Sequence, residues 1–407
     1  MRRVKPYVYV GTFVLALGIG LGFLNPLTQA DPRKSANPPS FRVDPFWPKP
    51  LPDNWVTGEV AGTCIDSNDH VFIVTRGFQT GGLASPEGVA GQPVKSRASP
   101  PAIEFDRAGN VVNSWGDPAL NTVPQGTLAV GTNKVLPNGI HGCFVDYQDN
   151  VWIGGNGDGV VQKYTHDGHF LLQIGIKGEC DWPANGNRCG NSGADPSANQ
   201  SKTRLNQPAD IAVDPSNGDV YIADGYGNHR VVVFDKNGKW LRQWGSPGAG
   251  PGQFMAAGSG HPHCVVLSKD NLVYACDRGQ DRIQVFDKLG NLKQIIPVIP
   301  GTGTPGLGTA GSAWDVDFSP DKHQKFMFEA DGGNEVLWTF DRALGKILSG
   351  FGRPGHMAGD FTFLHTVSVN SKGDLYTGET VGGRRIQKFI KCEDDDNGNG
   401  RGDGHCE

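Results

Sequence analysis

The sequence predicts an all-β protein whose strands form a six-bladed β-propeller, and two observations carry this prediction. The first is composition: 59 glycines and 28 prolines among 407 residues mark many tight turns and therefore many short strands. The second is a unit that recurs six times, in which four apolar strands alternate with turns and polar loops. Four short antiparallel strands repeated six times are the pattern of a six-bladed propeller.

The third copy shows this unit most clearly. Its strands read ADIAVD (209–214), VYIA (220–223), RVVVFD (230–235) and WLRQWG (240–245). The other copies begin near Ala61, His141, His263, Trp314 and His365.

The sixth copy is incomplete, because it supplies only three strands and ends at Phe389. An open strand edge invites association with other chains, and propellers commonly close their ring by pairing the two ends of the chain. We therefore predict that Phe41–Val43 supplies the missing outer strand. Two loops, at 77–100 and 177–204, are longer than their counterparts, and loops of that length are usually functional lids or disordered segments.

The first thirty residues have the features of an export signal. Arg2, Arg3 and Lys5 precede the apolar run Val8–Leu24, and a small-residue cleavage site ends at Ala30. The run is long for a signal peptide and short for a membrane span, so a cleaved signal and a retained N-terminal anchor both stay open. In either case we expect the rest of the chain to be exported, to the periplasm or the extracellular space.

The chain divides into four segments. Residues 1–30 are the signal peptide or anchor, 31–40 a Pro/Ser-rich linker, 41–391 the propeller, and 392–407 an acidic, Gly-rich tail bracketed by cysteines. The net charge of −5 without a basic block excludes nucleic acid, which needs clustered Lys and Arg. We expect a monomer that touches a membrane only if its N-terminal segment stays uncleaved.

Eight cysteines in an exported chain favour disulfides. No CxxC motif occurs, which argues against a zinc site made of thiolates. Spacing suggests pairs around two short segments and one hairpin turn, although connectivity stays open at this stage. The pairs are Cys180 with Cys189, Cys392 with Cys406, Cys264 with Cys276 and, by remainder, Cys64 with Cys143.

Three histidines occupy the same position in alternate repeats. His141, His263 and His365 open the second, fourth and sixth copies. The start of each innermost strand faces the central channel of a propeller, so alternate blades would place three imidazoles around the axis. Three nitrogen ligands with an open position are the arrangement of a catalytic zinc site.

A second set of polar residues follows the second strand of each repeat, on the face that carries the histidines. Arg76 and Arg278 occupy matching positions in copies one and four, and Tyr226 lies one residue later in copy three. Arginine binds carboxylates bidentately, and a tyrosine beside a metal could act as a base. Glu379 could reach the same rim. The expected bracing residues between neighbouring strands are Asp224, Asp277 and Asp331.

Several stretches of this chain resemble the peptidyl-α-hydroxyglycine α-amidating lyases, propellers built of NHL-type repeats. The most specific is QPADIAVDPSNG at 207–218, which continues through DGYGNHR at 224–230. PGQF at 251–254 and DRGQDRIQ at 277–284 follow in the family's order. The resemblance extends over roughly residues 57–390, which is all of the predicted propeller.

The resemblance implies roles for six residues: zinc ligation by His141, His263 and His365, proton transfer by Tyr226, and active-site positions for Arg76 and Arg278. The chain departs from the family at two places beside the third histidine. Phe363–Leu364 replaces the usual Met-Pro. Thr366 stands where the family has an aspartate that helps to hold a structural calcium, so the resemblance does not by itself imply a calcium ion in this chain.

We therefore expect an exported, zinc-dependent carbon–nitrogen lyase of the peptide-amidation type. It would cleave a small molecule or peptide that ends in an N-acyl-α-hydroxyglycine, giving an amide and glyoxylate. Another divalent transition metal would also fit, because imidazole suits iron and copper as well as zinc. Two alternatives stay open: a non-catalytic NHL-repeat propeller that acts as a binding scaffold at the cell envelope, and a different hydrolase or lactonase on this fold.

Overall fold

The computed structural model describes residues 37–76, 97–116, 136–182, 189–258, 260–303 and 310–392. The predictions for the export segment, for most of the linker and for the acidic tail fall outside these residues. Within them the chain forms six four-stranded antiparallel sheets and one two-stranded parallel sheet. No helix in the described ranges is long and apolar enough to cross a membrane.

Each four-stranded sheet is one blade of a six-bladed propeller, as the repeats predicted. Blade 1 contains β3 (Val60–Ile65), β4 (Val71–Thr75), β6 (Ala102–Phe105) and β7 (Val111–Trp115). Blade 2 contains β8 (Ile140–Val145), β9 (Val151–Gly155), β10 (Val160–Tyr164) and β11 (Phe170–Ile174). Blade 3 contains β12 (Asp210–Val213), β13 (Val220–Asp224), β14 (Arg230–Phe234) and β15 (Trp240–Trp244).

The remaining blades follow the same order from the channel outward. Blade 4 contains β16 (Val265–Leu267), β17 (Leu272–Asp277), β18 (Arg282–Asp287) and β19 (Leu292–Pro297). Blade 5 contains β20 (Asp315–Phe318), β21 (Phe326–Asp331), β22 (Val336–Asp341) and β23 (Lys346–Phe351). Blade 6 contains β24 (Leu364–Val369), β25 (Leu375–Glu379), β26 (Ile386–Lys391) and β1 (Phe41–Asp44). Outside the blades lie β2 (Trp55–Val56), β5 (Arg97–Ala98) and the short 3-10 helices Pro52–Asn54 and Arg278–Gln280.

The ring closes through the first strand, which confirms the prediction made from the incomplete sixth repeat. β1 pairs antiparallel with β26, with Phe41 opposite Lys391 and Val43 opposite Phe389. The Phe41 ring also contacts blade 5, where it lies 5.5 Å from the Phe328 ring in an edge-to-face arrangement. Strand pairing and aromatic packing therefore hold the two ends of the propeller together.

Aspartate and glycine shape the outer hairpins of the blades. After β14, the Asp235 carboxylate accepts hydrogen bonds from the backbone N–H groups of Asn237 and Lys239, both at 2.9 Å. Gly238 completes the turn at a φ of +82°, a conformation that costs glycine little because it has no Cβ. The same pairing recurs in other blades, at Asp106 with Gly109 and at Asp287 with Gly290.

The hydrophobic core lies between adjacent blades. For example, Tyr274 of blade 4 packs edge-to-face against Phe318 of blade 5, with ring centroids 4.8 Å apart. Three of the suggested disulfides are present: Cys64–Cys143, Cys180–Cys189 and Cys264–Cys276. Cys392 is also disulfide-bonded, and its suggested partner Cys406 falls outside the described residues. Disulfides at this density are typical of an oxidising, extracellular-type environment.

The inner strands of all six blades line a central channel with a volume of about 180 Å³. Half-buried aspartates join consecutive blades along it, because each accepts a hydrogen bond from a backbone N–H of the next blade. These contacts are Asp210 with Val265 (2.9 Å), Asp315 with Val367 (3.0 Å) and Asp317 with Val369 (2.8 Å).

Candidate metal centre and active site

The three histidines that share one repeat position meet at one end of the central channel. His141 lies in β8, His365 in β24, and His263 two residues before β16. One ring nitrogen of each lies within 4.8 Å of the corresponding nitrogens of the other two. Each residue is at most 3% exposed. Three buried imidazoles from alternate blades therefore converge on one point, as the repeat spacing predicted.

The other ring nitrogen of each histidine faces a blade that carries no histidine at this position. Nδ1 of His141 donates a hydrogen bond to the Ala209 carbonyl at 2.6 Å, and Nδ1 of His263 donates to the Trp314 carbonyl at 2.7 Å. A carbonyl oxygen can only accept, so these two Nδ1 atoms carry the proton and Nε2 keeps its lone pair. The Ala61 carbonyl interacts with His365 in the corresponding place.

Burial keeps these imidazoles neutral. Loss of solvation lowers the pKa of His141 well below its usual value, and the positive charges of Arg76 and Arg278 lower it further. Burial also lowers the pKa of His263 well below its usual value, with Arg278 the next largest cause. For His365 the pKa is lowered by burial and then by His141. Neutral imidazole is the form that binds a metal ion.

The donor set fits a divalent transition metal. Nε2 of His365 lies 3.1 Å from Nε2 of His141, and the His141 lone pair points toward that contact because its proton is on Nδ1. A cation between the nitrogens would satisfy this convergence of lone pairs. Hydrogen bonds from Nδ1 to backbone carbonyls are the usual supports of metal-bound histidines. The three histidines could therefore hold zinc, iron or copper, and their chemistry alone does not choose among these metals.

The Tyr226 hydroxyl contacts two of the three histidines. Its hydroxyl lies 2.9 Å from Nε2 of His141 and 3.1 Å from Nε2 of His263. Glycines flank it on both sides, where added side chains would collide: at Gly225 with the backbone of Pro262, and at Gly227 with Asn206. Close packing of the flanking backbone therefore fixes the position of the tyrosine.

The long loop after blade 2 packs against the backbone next to Tyr226. Ser192 donates two hydrogen bonds to the Gly227 carbonyl, from its backbone N–H at 2.9 Å and from its hydroxyl at 2.6 Å. Asn206 accepts a hydrogen bond from Gly190 at 3.1 Å through its side chain. The part of this loop after residue 188 thus packs against the backbone beside Tyr226, a role that the length of the loop alone did not specify.

Arg278 covers the aromatic side of the site. Its guanidinium carbon lies 4.4 Å from the Trp314 ring centroid and 5.3 Å from the Tyr226 ring centroid. The residue is 6% exposed. Gly260 leaves room for it, since a Cβ there would lie 2.7 Å from the guanidinium carbon. The geometry thus places one buried positive charge against the tyrosine and beside the three histidines.

Arg76 lies on the same face but is anchored differently from Arg278. Its Nε donates to the Ile140 carbonyl at 2.9 Å, and Nη1 forms an ion pair with Glu59, also at 2.9 Å. Its positive charge lowers the pKa of both His141 and His365. Of the two arginines, Arg278 is the one that packs on Tyr226.

An apolar wall lies beside the third histidine, at the place where the sequence departs from the family's Met-Pro and where a different pocket wall was expected. The Phe363 ring meets the Trp314 ring edge-to-face, with centroids 5.3 Å apart. Phe363 has a φ of +63°, which is uncommon outside glycine, and the Glu335 carboxylate accepts hydrogen bonds from its backbone N–H at 2.6 Å and from that of Leu364 at 2.9 Å. The departure from the family's Met-Pro at this place was the only sequence signal for it.

Glu379 does not join the site through any described contact. It is buried and binds Arg385 at 2.6 Å and the backbone N–H of Thr362 at 2.7 Å, so it braces blade 6. The three aspartates expected to brace neighbouring strands do so. Their partners include Arg230 for Asp224, Arg282 for Asp277 and Asn334 for Asp331.

Comparisons with known proteins agree with the repeat architecture. The family model of the NHL repeat matches residues 205–234, which include Tyr226. NHL repeat-containing protein 3 of Mus musculus is 25% identical, over 86% of this chain and 84% of the mouse protein. Peptidyl-alpha-hydroxyglycine alpha-amidating lyase 1 of Drosophila melanogaster is 26% identical, over 71% of this chain and 56% of the fly protein.

Among solved structures, a gluconolactonase from Xanthomonas campestris superposes with a TM-score of 0.50. The two chains are 14% identical, and the match covers 88% of this chain and 92% of the other. At that identity the likeness concerns the fold alone. The chain is thus a six-bladed propeller that matches the NHL repeat over residues 205–234 and is similar to the amidating lyases, as its motifs predicted. It is also similar to a protein whose name states no activity.

Proposed function

We propose that this chain is a metal-dependent lyase that cleaves an N-acyl-α-hydroxyglycine into an amide and glyoxylate. One observation carries the proposal: the Tyr226 hydroxyl contacts Nε2 of His141 at 2.9 Å and Nε2 of His263 at 3.1 Å. A substrate hydroxyl that approaches the three nitrogens therefore meets the Tyr226 oxygen, which as a phenolate can take its proton. The similarity to the fly amidating lyase supports the same reaction class.

The arginines suit the carboxylate of such a substrate. Arg278 is buried against Trp314 and Tyr226, and a guanidinium presents donors in a fork that matches a carboxylate. Arg76 adds positive charge from the opposite blade while its ion pair with Glu59 holds it in place. In this proposal Arg278 binds the carboxylate and positions the phenol, whereas Arg76 contributes mainly to the local potential.

The reaction divides into a proton transfer and a bond cleavage. His141, His263 and His365 would hold the metal, zinc in our proposal, which would supply Lewis-acid polarisation of the substrate hydroxyl. Tyr226, in its phenolate form, takes the hydroxyl proton, the carbon–oxygen bond becomes the aldehyde of glyoxylate, and the carbon–nitrogen bond breaks. The bonding electrons pass to the amide nitrogen, and Tyr226 returns the proton to that nitrogen, so atoms and charges balance.

The first experiment is to incubate zinc-loaded protein with α-hydroxyhippurate and to measure glyoxylate. We expect turnover by the wild type and a loss of about 10²–10⁴-fold in kcat for Tyr226→Phe, with unchanged zinc content. Tyr147→Phe is the matched control, because Tyr147 is 53% exposed and outside the site. Turnover that survives in Tyr226→Phe would rule out this mechanism.

The relatives also give a reason to keep the binding scaffold as a second candidate. The mouse protein matches more of this chain than the fly lyase does, and its name states no activity. If the chain is a scaffold, no glyoxylate forms from any acyl-hydroxyglycine, and substitutions of Tyr226 and Arg278 alter partner binding instead. A zinc-loaded protein without turnover would favour this candidate.

We propose in addition that the chain works as a monomer after export, on small or peptide substrates outside the cytoplasm. The disulfides support this setting, since they persist where the medium is oxidising. Fractionation of cells that express the full chain, with N-terminal sequencing of the mature protein, would test both export and cleavage of the first thirty residues.

A further inference from the structure

A second group of metal-ligating side chains lies where blades 1 and 2 meet, at the other end of the inner strands. Asp66 follows β3, His70 precedes β4, Glu104 lies in β6, and His166 lies in the turn between β10 and β11. Asp66 is five residues beyond Ala61, the position that matches the channel histidines, so about 16 Å of strand separates the two groups. This group, the Asp66 cluster, is therefore independent of the proposed active site.

One ligand atom each of Asp66, Glu104 and His166 lies within 4.8 Å of the other two, and His70 contacts the same two carboxylates. His166 Nε2 lies 3.1 Å from Asp66 Oδ2 and 3.6 Å from Glu104 Oε1. His70 Nδ1 lies 2.7 Å from Glu104 Oε1 and 3.9 Å from Asp66 Oδ2. Four ligands around zinc at about 2.0 Å are about 3.3 Å apart, so these nitrogen–oxygen distances bracket the expected value.

The two carboxylates of the cluster are buried, and one Glu104 oxygen has no hydrogen-bond donor among the described residues. The Asp66 side chain is 0% exposed and that of Glu104 3% exposed. Glu104 Oε2 is buried, and no described residue donates a hydrogen bond to it. Burying a carboxylate oxygen without a partner is costly unless a cation satisfies it. The two histidines are 29% and 36% exposed, so an ion can reach the cluster from solvent.

The corresponding position in blade 2 shows what a purely structural pair looks like there. Asp146 of blade 2 corresponds to Asp66 of blade 1, and Lys163 corresponds to Glu104. Lys163 pairs with the second residue of β9, as Glu104 pairs with the second residue of β4. Lys163 forms an ion pair with Asp146 at 3.0 Å. In blade 1 a glutamate replaces the lysine, so two carboxylates lie close together, and within the described residues His70 and His166 are the basic side chains that contact both of them.

Neighbouring residues hold the ligands in these positions. The His166 carbonyl accepts hydrogen bonds from Asn113 at 3.1 Å and from the Trp115 indole at 3.2 Å. The His166 ring packs edge-to-face on Phe72, with centroids 5.0 Å apart. Asp66 Oδ1 accepts hydrogen bonds from the backbone N–H groups of Asn68 and His70, which leaves Oδ2 directed at the histidines.

We propose that Asp66, His70, Glu104 and His166 form a second zinc site that clamps blade 1 to blade 2. Two imidazoles and two carboxylates are a donor set that zinc accepts in tetrahedral sites, and closed sites of this kind are structural. The ion satisfies the orphaned glutamate oxygen and neutralises the two buried carboxylates. Its binding should stabilise the folded state, because the four ligands come together only after folding.

Zinc stoichiometry tests this site. The wild type, His166→Ala and His169→Ala are dialysed against Zn²⁺, and bound zinc per chain is measured by mass spectrometry. His169 is the matched control, since it lies in the same turn but its side chain is 80% exposed and pairs only with Asp167. We expect His166→Ala to bind one zinc ion fewer than both the wild type and His169→Ala. Equal zinc content in all three proteins would overturn the proposal.

A second variant keeps the test decisive if His166→Ala folds poorly. Glu104→Lys reproduces in blade 1 the aspartate–lysine pair of blade 2, so the variant is expected to fold. It should bind one zinc ion fewer and should lose the part of the zinc-induced rise in Tm that belongs to this site. Glyoxylate production by Glu104→Lys should match the wild type. Zinc content and Tm are measured independently of glyoxylate production. The proposal of a second zinc site can therefore be refuted without refuting the proposed lyase activity, and the lyase activity can be refuted without refuting the second site.

Discussion

The Trp314 carbonyl accepts a hydrogen bond from Nδ1 of His263 at 2.7 Å, so a blade without a histidine at this repeat position orients the imidazole of the blade before it. For His141 and His263, the backbone of the next blade at the same repeat position accepts this hydrogen bond and orients the imidazole. Ala209 does this for His141 at 2.6 Å. A histidine in every blade would bring six imidazoles to one point, whereas the alternation leaves three ligands.

We predict that His263→Ala loses the channel metal. The change removes one of three nitrogens and leaves a cavity beside Trp314, so the affinity for zinc should fall by at least a hundredfold. His356→Ala is the control, because His356 is exposed and outside the triad. Zinc titration with a competing chelator measures the difference. If His263→Ala keeps the wild-type affinity at this centre, His263 is not a ligand.

The blades and the channel histidines could be predicted because a propeller repeats one register six times. A residue's place in the repeat determines whether it faces the channel, so His141, His263 and His365 could be placed together from spacing alone. The missing strand Phe41–Asp44 followed from the same count of four strands per blade. The pairing of Trp55–Val56 with Arg97–Ala98 had no such signal, because two-residue strands show no period.

The supports of the site were harder to predict than its reactive groups. The carbonyls of Ala209 and Trp314 are backbone atoms, which any residue would supply. The residue types at these positions therefore do not indicate that they accept a hydrogen bond from a histidine. Asp66 and His166 are separated by 100 residues, and both lie at turns, where side-chain direction does not follow the strand period. Periodicity locates residues on strands, and it says little about residues between them.

Arg278→Lys should lower kcat/KM for α-hydroxyhippurate at least tenfold without loss of zinc. Lysine keeps the charge but has no planar group to stack on Trp314, where the guanidinium carbon lies 4.4 Å from the ring centroid. Steady-state kinetics measure the effect, with Arg353→Lys as control because its side chain is 77% exposed. Wild-type kinetics in Arg278→Lys would show that charge alone is sufficient at this position.

Phe41→Ala should reduce the free energy of unfolding by about 2 kcal/mol, because it removes a partly buried ring from the seam that closes the propeller. The ring lies 5.5 Å from Phe328 and 5.7 Å from Phe351. Phe46→Ala is the control, since Phe46 is 76% exposed and should change stability little. Denaturant unfolding compares the two, and equal stabilities would mean that β1 does not contribute to ring closure.

Asp317 should make the protein less stable as pH rises from 5 to 8. Burial raises its pKa to about 7, although the backbone N–H groups of Phe318 and Val369 oppose the shift. Between pH 4 and 7 the native state therefore holds a proton that the unfolded chain has released. The stabilisation from that proton is complete below about pH 4 and is lost as pH passes 7. From pH 5 to 8 the loss is about 3 kcal/mol.

Asp317→Asn removes this titration, so the difference in unfolding free energy between pH 5 and pH 8 should shrink by about that 3 kcal/mol. The exposed Asp53 provides the control, and Asp53→Asn should keep the wild-type difference. Denaturant unfolding at the two pH values measures both.

The amide replaces one of the two oxygens that accept the Phe318 and Val369 N–H groups, so Asp317→Asn should be less stable than the wild type at pH 5. The gap should narrow at pH 8, and a gap that stays constant would show that Asp317 is ionised in the folded protein at both pH values.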